Sequence, residues 1–336
     1  MKSRVSINDV AKRANVSIAT VSNVINGKGR VSESTVERIN NIIAELGYIP
    51  SISARNLKQK QSHLIGVIVP FQKTGSLKDN PFYWDLVAGI ENGARDSKFH
   101  VILTGVVDGE EAFTFAKERH LDGVIVVGAH DGSSTVEQVK KLGIPAVFMD
   151  SYLSDESLYQ VLLDDEEGGY LAAKYLLENN HSNISVISGK VKDSRVSFKR
   201  LEGVKRAFME KGLTFNPNFL VEGPVSMAGG LKATNTILKS KCSAVLCFSD
   251  VVSLGLIRGL QSNGYQVPDD ISVVGFDDLY FTQYTTPTIT TIQQDIVEKG
   301  RVAVDLIIKQ LNNEPIQSKK TVLNTKLIER ESTRTI

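Results

Sequence analysis

The segment NVSIATVSNVINGKGRVSESTVERI, residues 15–39, decides the fold of the N-terminal region. Its apolar residues recur at the spacing of one helix face, and they are Ile18, Val21, Val24 and Ile25. Ser17 is placed to cap the start of this helix, and Asn26 to end it. Most of the remaining side chains are short and polar. The pattern therefore predicts a helix whose outer face is small and unobstructed.

Two further helices flank this segment. Ser6 begins the first, with Asp9 three residues later in the arrangement of a capping box. A tight turn at Asn15 separates the first helix from the second, and Ser32 begins the third. Three short helices with a tight turn between the first two are typical of a helix-turn-helix domain. Residues 1–50 are therefore predicted to form an all-α helix-turn-helix domain.

Charge is unevenly distributed along the chain. Residues 1–60 hold ten Lys and Arg side chains against four Asp and Glu side chains, a net charge of +6. Because the whole chain carries +1, the remaining residues carry −5. A basic end on a mildly acidic body indicates a polyanionic partner at that end. A solvated basic surface is the alternative, and charge alone does not decide between them.

From Leu64 onward, short apolar strands alternate with amphipathic helices. The strand segments read LIGVIVP, HVILTGV, GVIVVG, PAVFMD, YQVLLDD, NISVISG, FLVEGP, CSAVLCFSD and ISVVGFDD. Regular alternation predicts right-handed βαβ units and parallel sheets. About ten strands are too many for one doubly wound sheet. The body is therefore predicted to be α/β, with two Rossmann-like lobes.

The sequence lacks the signatures of an enzyme. Its five histidines are scattered without metal-ligand spacing, and it contains no dinucleotide motif, phosphate loop or nucleophile elbow. We predict neither a cofactor nor a bound metal ion. Carboxylates follow predicted strands, where open α/β sheets bind ligands, and these are Asp164, Asp165, Asp250, Asp277 and Asp278. The cluster favours a hydroxyl-rich ligand, although helix N-capping is the expected role of Asp250.

The N-terminal motifs INDVAKRANVSIATVSNVIN, VSESTVERI and GYIP strongly resemble the lac-repressor (LacI/GalR) family of bacterial transcription regulators. The resemblance continues through SARNLK, DDEEGGYLAAKYL, RLEGVKRAF, SDVVSLGL, PDDISVVGFDD and TTIQQD, and so covers essentially the whole chain in order. It implies an effector-responsive, sequence-specific DNA-binding regulator. The expected role is that of a repressor of sugar-utilisation genes.

By this resemblance, the second helix lies in the major groove of operator DNA, where short side chains let its backbone approach the bases. The residues expected to read bases are Ile18, Ala19 and Asn23. Those expected mainly to hold phosphates are Ser17, Thr20, Ser22 and Asn26, and Ser6 is also assigned to the DNA-binding set. Ile18 can contact only apolar groups such as a thymine methyl. Burial in the core of the domain is the alternative role of Ile18.

Residues 51–62 resemble the hinge helix and linker of the family. In this hinge, Leu57 of each subunit is expected to wedge between base pairs from the minor groove and kink the duplex. Ser53, Ala54 and Lys58 are expected beside it. Packing of Leu57 on the body is the alternative, which its polar and basic neighbours disfavour.

Residues 63–336 are implied to form an effector-binding and dimerisation domain of the type I periplasmic-binding-protein fold. Lobe 1 is expected to span about 63–164 and 292–324, and lobe 2 about 165–291 and 325–336, with crossings near Asp165, Thr291 and Thr325. The residues expected at the effector are Phe82, Tyr83, Arg200, Val225, Ser249 and Asp277. Ser249 replaces the usual Asn, and Val225 stands near the usual aromatic residue. The effector is expected to be a neutral sugar, with a sugar phosphate held by basic residues of the 190–199 segment as the alternative.

The expected assembly is a homodimer on a pseudo-palindromic operator, with one half-site for each subunit. Neither an export signal nor a membrane-spanning run is apparent, which favours a cytoplasmic location. A sugar-binding receptor with the same body fold and no regulatory role is the alternative class. A sugar-processing enzyme comes third, because no catalytic pair can be identified.

We expect residues 1–60 to carry the DNA affinity, because the basic charge and the helix-turn-helix pattern both lie there. Phosphate neutralisation releases counterions, so binding should weaken steeply as the salt concentration rises. Fluorescence anisotropy with labelled operator DNA measures this for the full chain and for a fragment that begins at Ser62. Operator binding by that fragment would contradict the expectation.

Overall fold

The computed structural model describes residues 5–48, 61–70, 80–106, 113–192 and 194–336. The chain divides into two units, Met1–Ser62 and His63–Ile336. We refer to them as the N-terminal unit and the body.

The N-terminal unit contains the three helices that the sequence predicts: α1 (Ile7–Ala14), α2 (Ile18–Ile25) and α3 (Glu33–Leu46). The capping box at the start of α1 is confirmed, because the Asp9 carboxylate accepts hydrogen bonds from the backbone N–H (2.9 Å) and hydroxyl (2.7 Å) of Ser6. Asn15 ends α1 in the left-handed conformation, with φ of 53°, and reverses the chain into α2. The buried residues of the unit are Val10, Ala11, Ala14, Val21 and Ile39.

Lobe 1 of the body is a six-stranded parallel sheet with its helices. Its strands are β1 (Leu64–Pro70), β2 (His100–Val106), β3 (Gly123–Val127), β4 (Ala146–Met149), β5 (Tyr159–Leu163) and β11 (Lys320–Leu323). They lie in the order β11-β5-β4-β3-β1-β2. Its helices are α4 (Phe82–Asp96), α5 (Thr114–Glu118), α6 (Ser134–Leu142) and α11 (Ile296–Leu311).

Lobe 2 repeats this architecture with one antiparallel edge strand. Its strands are β6 (Ile184–Ser188), β7 (Leu220–Glu222), β8 (Ala244–Cys247), β9 (Ser272–Asp277), β10 (Thr290–Gln293) and β12 (Lys326–Ile328). They lie in the order β12-β10-β9-β8-β6-β7, and only the β10–β12 pairing is antiparallel. Its helices are α7 (Asp165–Glu178), α8 (Arg195–Glu210), α9 (Met227–Ser240) and α10 (Asp250–Ser262).

The core of lobe 2 shows why its strands are continuously apolar. Val273 packs in the cluster on the α9–α10 face of the sheet, and Val274 packs in the cluster on the α7–α8 face. Successive side chains of a strand point to opposite faces, so a strand covered on both sides buries every residue. All nine strands predicted from the sequence are present.

The chain crosses between the lobes three times, and the position of one crossing differs from that expected from the sequence. The crossings follow β5, β10 and β11, because each of these strands is succeeded by an element of the other lobe. The sequence places the second crossing near Thr291. In the structure Thr291 pairs with Gly275 of β9 and Ile328 of β12, within the sheet of lobe 2. This crossing therefore lies after Gln293, at Gln294 and Asp295.

Close packing of α7 against α8 determines where Arg200 lies. A Cβ atom added to Gly169 of α7 would lie 2.0 Å from the Arg200 carbonyl oxygen, and one added to Gly203 of α8 would lie 1.9 Å from the Glu166 carbonyl oxygen. Only glycine permits this approach. The helix pair consequently brings Arg200 of α8 to the start of α7, where the chain first enters lobe 2.

Within the described part of the chain, no helix is long and apolar enough to cross a membrane. Both cysteines, Cys242 and Cys247, are buried and unbridged.

Candidate functional site

The outer face of α2 is exposed in the way the sequence predicts. Ile18 is 48% exposed, whereas Val21, one turn further along the helix, is fully buried. Ala19 and Asn23 are also exposed. The alternative role of Ile18 as a core residue is therefore wrong. A large apolar side chain at this position of a basic unit is available for contact with a partner.

The polar residues of α2 hold one another in place. Ser17 Oγ accepts a hydrogen bond from the Thr20 backbone N–H at 3.1 Å and lies 2.9 Å from Thr20 Oγ1, which confirms Ser17 as the N-cap. Asn26 Nδ2 donates to the Ser22 carbonyl oxygen at 2.6 Å. Asn26 Nδ2 also donates to Ser22 Oγ at 3.3 Å. These bonds fix the hydroxyl and amide groups of four residues at the two ends of α2, where they can meet phosphate oxygens.

Asn23 lies under the turn that follows α2. Lys28 N–H donates to the Asn23 carbonyl oxygen at 2.9 Å. A Cβ atom on Gly29, whose φ is +84°, would lie 3.2 Å from Asn23 Nδ2. The glycine-containing turn therefore leaves room for the Asn23 amide. The four residues assigned to the hinge, Ser53, Ala54, Leu57 and Lys58, lie outside the described residues.

In the body, Arg200 forms the centre of a buried polar set at the start of α7. Its Nε donates to Asp165 Oδ1 at 2.7 Å, and its Nη1 donates to the Phe248 carbonyl oxygen at 2.6 Å. The guanidinium lies 3.4 Å from the centroid of the Phe276 ring. Burial opposes the charged form of Arg200, but Asp165, Asp277 and Asp150 outweigh it, and the pKa of Arg200 is raised. The group remains a fixed cation.

Asp277 ends β9 at the junction between the lobes and is 5% exposed. Its Oδ1 accepts a hydrogen bond from Gln294 Nε2 at 2.6 Å, and its Oδ2 accepts one from Ser249 Oγ at 3.1 Å. Burial raises the pKa of Asp277 to about 6, although Arg200 and the two hydrogen bonds act in the opposite direction. Ser249 and Asp277, which the family resemblance assigns to the effector, are thus hydrogen-bonded to each other.

Asp250 has a different role from the predicted helix cap. Ser249 is the N-cap residue of α10, and Asp250 is the first residue of the helix, with no exposed surface. Its carboxylate accepts hydrogen bonds from the Leu279 backbone N–H at 2.8 Å and from Thr291 Oγ1 at 2.6 Å. It therefore ties α10 to the segments that follow β9 and form β10. Burial and the nearby charge of Asp277 raise the pKa of Asp250 well above its ordinary value.

The remaining predicted effector residues divide into two groups. Phe82 and Tyr83 of α4 are partly buried and pack edge to face, with ring centroids 5.5 Å apart. Burial raises the pKa of Tyr83, and so do the charges of Asp150 and Asp277. Val225 is 45% exposed and lies beside Gly189, which follows β6.

Sequence reasoning missed several residues of the site, namely Asp150, Tyr152, Gln294 and Lys299. Lys299 Nζ donates to Asp150 Oδ1 and to Gln294 Oε1, both at 2.8 Å. Tyr152 donates to Asp165 Oδ2 at 2.6 Å, and its own pKa is raised by burial and by Asp165. Asp150 directly follows β4, so the rule that identified the other strand-end carboxylates could have found it.

Comparison with known proteins agrees with both parts of this geometry. Residues 6–51 match the family model for bacterial regulatory proteins of the lacI family, and residues 173–333 match that of a periplasmic binding protein-like domain. Catabolite control protein A of Priestia megaterium is 33% identical over 98% of this chain and 99% of the relative. The chain belongs to the lacI family. It is a DNA-binding transcription regulator and not an enzyme.

Other members and solved structures support the same conclusion. The ribose operon repressor of Haemophilus influenzae is 31% identical to this lacI-family regulator over 97% of the chain and 98% of the relative. A structure of the lac repressor dimer bound to operator and the anti-inducer ONPF matches with a TM-score of 0.87 and 28% identity, covering 98% of this chain and 99% of that one. A CelR–cellobiose complex matches with a TM-score of 0.75 and 28% identity, covering 98% and 100%.

We predict that Asn23→Ala and Ile18→Ser change the preferred operator sequence more than the general affinity for DNA. Each removes one base contact, which should cost about 1–3 kcal/mol at one base pair. Selection from a randomised operator pool measures the preference, and Asn40→Ala on the exposed face of α3 is the matched control. Recovery of the parent consensus by both variants would refute the assignment of α2.

Proposed function

We propose that this lacI-family regulator is a homodimeric repressor of sugar-utilisation genes, whose operator affinity changes when a neutral mono- or disaccharide binds between the lobes of the body. In this assignment residues 1–50 bind the operator, residues 51–62 form the hinge, and residues 63–336 bind the effector and dimerise. The exposed outer face of α2 on a unit of net positive charge carries the DNA-binding part of the proposal.

The proposed DNA interface places α2 in the major groove. Ile18, Ala19 and Asn23 face the bases, and the short hydroxyl and amide residues at both ends of the helix hold phosphates. Ser6, at the start of α1, adds a contact at the edge of the same surface. In the hinge, Leu57 enters the minor groove between Ser53, Ala54 and Lys58. Both features require DNA as the partner, which agrees with a location in the cytoplasm.

The charges of the body favour a neutral effector. Among the described residues of the body, the two buried cations already have carboxylate partners, because Arg200 is paired with Asp165 and Lys299 with Asp150. Asp277 has hydrogen-bond donors but no directly bonded cation. An anionic effector would therefore meet the negative charge of Asp277 and two cations that are already paired, whereas a sugar hydroxyl can donate a hydrogen bond to that carboxylate.

The basic residues considered for a sugar phosphate are exposed or already paired. Lys192 and Arg195 are exposed, and Lys199 pairs with Glu166 at 3.0 Å. Similar regulators have been solved with neutral sugars, one with ribose (from Enterococcus faecium, TM-score 0.73 and 28% identity) and one with cellobiose. Both observations support a neutral sugar over a sugar phosphate for this chain.

Exposed apolar side chains of lobe 2 support the proposed homodimer. Met227 and Leu231 on α9 are 41% and 49% exposed, and Tyr280 and Tyr284 after β9 are 64% and 77% exposed. These elements adjoin α10, because α9 packs directly against it and Gln261 Nε2 donates to the Thr286 carbonyl oxygen. Large exposed apolar residues on neighbouring elements suit a subunit interface. The lac repressor that matches this chain is a dimer on its operator.

We predict that Asp277→Ala abolishes sugar binding and leaves operator binding in place. Calorimetry with matched sugars and sugar phosphates measures binding, and Asp269→Ala, at an exposed carboxylate, is the control. Because sugar hydroxyls donate to the ionised carboxylate and the pKa of Asp277 is about 6, the affinity should be full above this pH and fall as the pH drops through it. Binding of only the phosphorylated sugars would contradict the neutral effector, and unchanged binding to Asp277→Ala would contradict the site.

A further inference from the structure

A buried lysine lies beside the proposed effector site. Lys299 is 1% exposed and occupies the fourth position of α11, near the end of the helix whose dipole disfavours positive charge. An ammonium removed from water requires acceptors. Lys299 finds them in Asp150 Oδ1 and Gln294 Oε1, each at 2.8 Å. These two contacts hold the charge at the place where the chain crosses between the lobes.

The ammonium also fixes the orientation of the Gln294 side chain. A lysine ammonium has only donors, so it can face only the carbonyl end of an amide. With Gln294 Oε1 turned toward Lys299, Nε2 points the other way and donates to Asp277 Oδ1 at 2.6 Å. The order Asp150–Lys299–Gln294–Asp277 therefore runs from the end of β4 in lobe 1 to the end of β9 in lobe 2. We call these four residues the crossing relay.

The crossing relay orients the Asp277 carboxylate without using all of its hydrogen-bond acceptor positions. Gln294 occupies one lone pair of Oδ1, and Ser249 occupies one lone pair of Oδ2. Each carboxylate oxygen can accept a second hydrogen bond. The plane of the carboxylate is thus set from two sides, while each oxygen keeps a position for a hydroxyl group of an effector.

We propose that Lys299 is a positioning residue for the effector site: held by Asp150, it orients the Gln294 amide, which in turn presents the Asp277 carboxylate to the effector. This inference rests on the proposed function only in assigning Asp277 to the effector. It also gives the effector a direct route to the arrangement of the lobes, because the two ends of the relay belong to different lobes.

Several titratable groups besides the relay surround Asp277. They are Arg200 on α8, Asp250 on α10, Tyr83 on α4, and Asp278, which follows Asp277 and pairs with Arg330 at 2.7 Å. Lys299 acts with Arg200 to lower the pKa of Asp277 against the effect of burial. Loss of the Lys299 charge should consequently raise that pKa, because a nearby cation favours the ionised carboxylate.

Nuclear magnetic resonance of the full-length, effector-free chain tests the proposal. The protein is labelled with carbon-13 at the Cγ atoms of its aspartate side chains. The Asp277 signal is identified as the one that is lost in Asp277→Asn. The parent should titrate with a midpoint of about 6. Lys299→Met should raise the midpoint by about one pH unit, the low end of the effect of an opposite charge. Lys299→Arg, which keeps the charge, should stay near the parent.

A second variant tests the amide step separately. Gln294→Met leaves the Lys299 charge in place but removes the donor to Asp277, so the midpoint should again rise, because a hydrogen bond to the ionised form is lost. Circular dichroism establishes that each variant is folded. If Lys299→Met does not fold, Gln294→Met decides the matter. An unchanged Asp277 midpoint in a folded variant that lacks the relay, even with a lower melting temperature, would show a merely structural role and overturn the proposal.

The test is independent of the effector. An unchanged midpoint would refute the positioning role of the crossing relay but would not affect the proposal that Asp277 binds the sugar. Failure of Asp277→Ala to alter sugar binding would refute the effector site but would not affect the proposal for the relay. The two failures are therefore distinguishable.

Discussion

The body of this regulator depends on the constraint that the carboxylates buried at the carboxyl ends of its strands must each find partners. Asp165, Asp250 and Asp277 are at most 5% exposed. Removing a carboxylate from water costs several kcal/mol unless charges or hydrogen bonds compensate. Their partners come from separate elements: Arg200 from α8, Thr291 from β10, and Gln294 from the crossing that follows it. The hydrogen bonds and ion pairs of these three carboxylates therefore fix the positions of several helices and strands relative to one another.

This constraint also explains why the same residues suit regulation. A buried polar set has discrete arrangements, because a half-satisfied network is costly. A ligand that donates hydrogen bonds to Asp277 changes the balance of the set, and the set spans both lobes through Gln294 and Lys299. A ligand with different affinity for two lobe arrangements shifts the population between them. If the two lobe arrangements differ in how well the N-terminal unit binds DNA, such a population shift makes the regulator responsive to its effector.

Local signals made much of the fold predictable from the sequence. Capping residues and helical spacing located α1, α2 and α3, and continuous apolar runs located the strands that are buried on both faces. The same signals missed three strands: β10, which is only four residues long although mostly buried, and β11 and β12, which lie at sheet edges and contain no buried residue. Spacing also could not decide whether Ile18 is core or surface, since α2 carries apolar residues on more than one face. Only its 48% exposure in the folded unit resolves that question.

The candidate site was predictable only in part, and for a physical reason. Ser249 and Asp277 follow strands, and Arg200 follows from the family resemblance, so all three could be assigned from sequence. Lys299 could not, because in DIVEKGR it reads as an ordinary surface lysine. It is buried by pairing with Asp150, which is 149 residues away in the chain. Contacts over that separation leave no local pattern in the sequence, and the fold alone reveals them.

We propose that sugar binding in the body changes the operator affinity of the N-terminal unit of the same chain. A thermal-shift screen of sugars and sugar phosphates, run on the free protein and repeated on DNA from its own upstream region, tests that link most directly. A sugar that binds the folded state raises the melting temperature. Because coupling is reciprocal, a sugar that alters operator affinity must itself bind with different affinity to the free and the DNA-bound protein. We expect at least one neutral sugar whose melting-temperature shift differs between the two conditions. Equal shifts on and off operator DNA for every sugar that binds would contradict the proposed link.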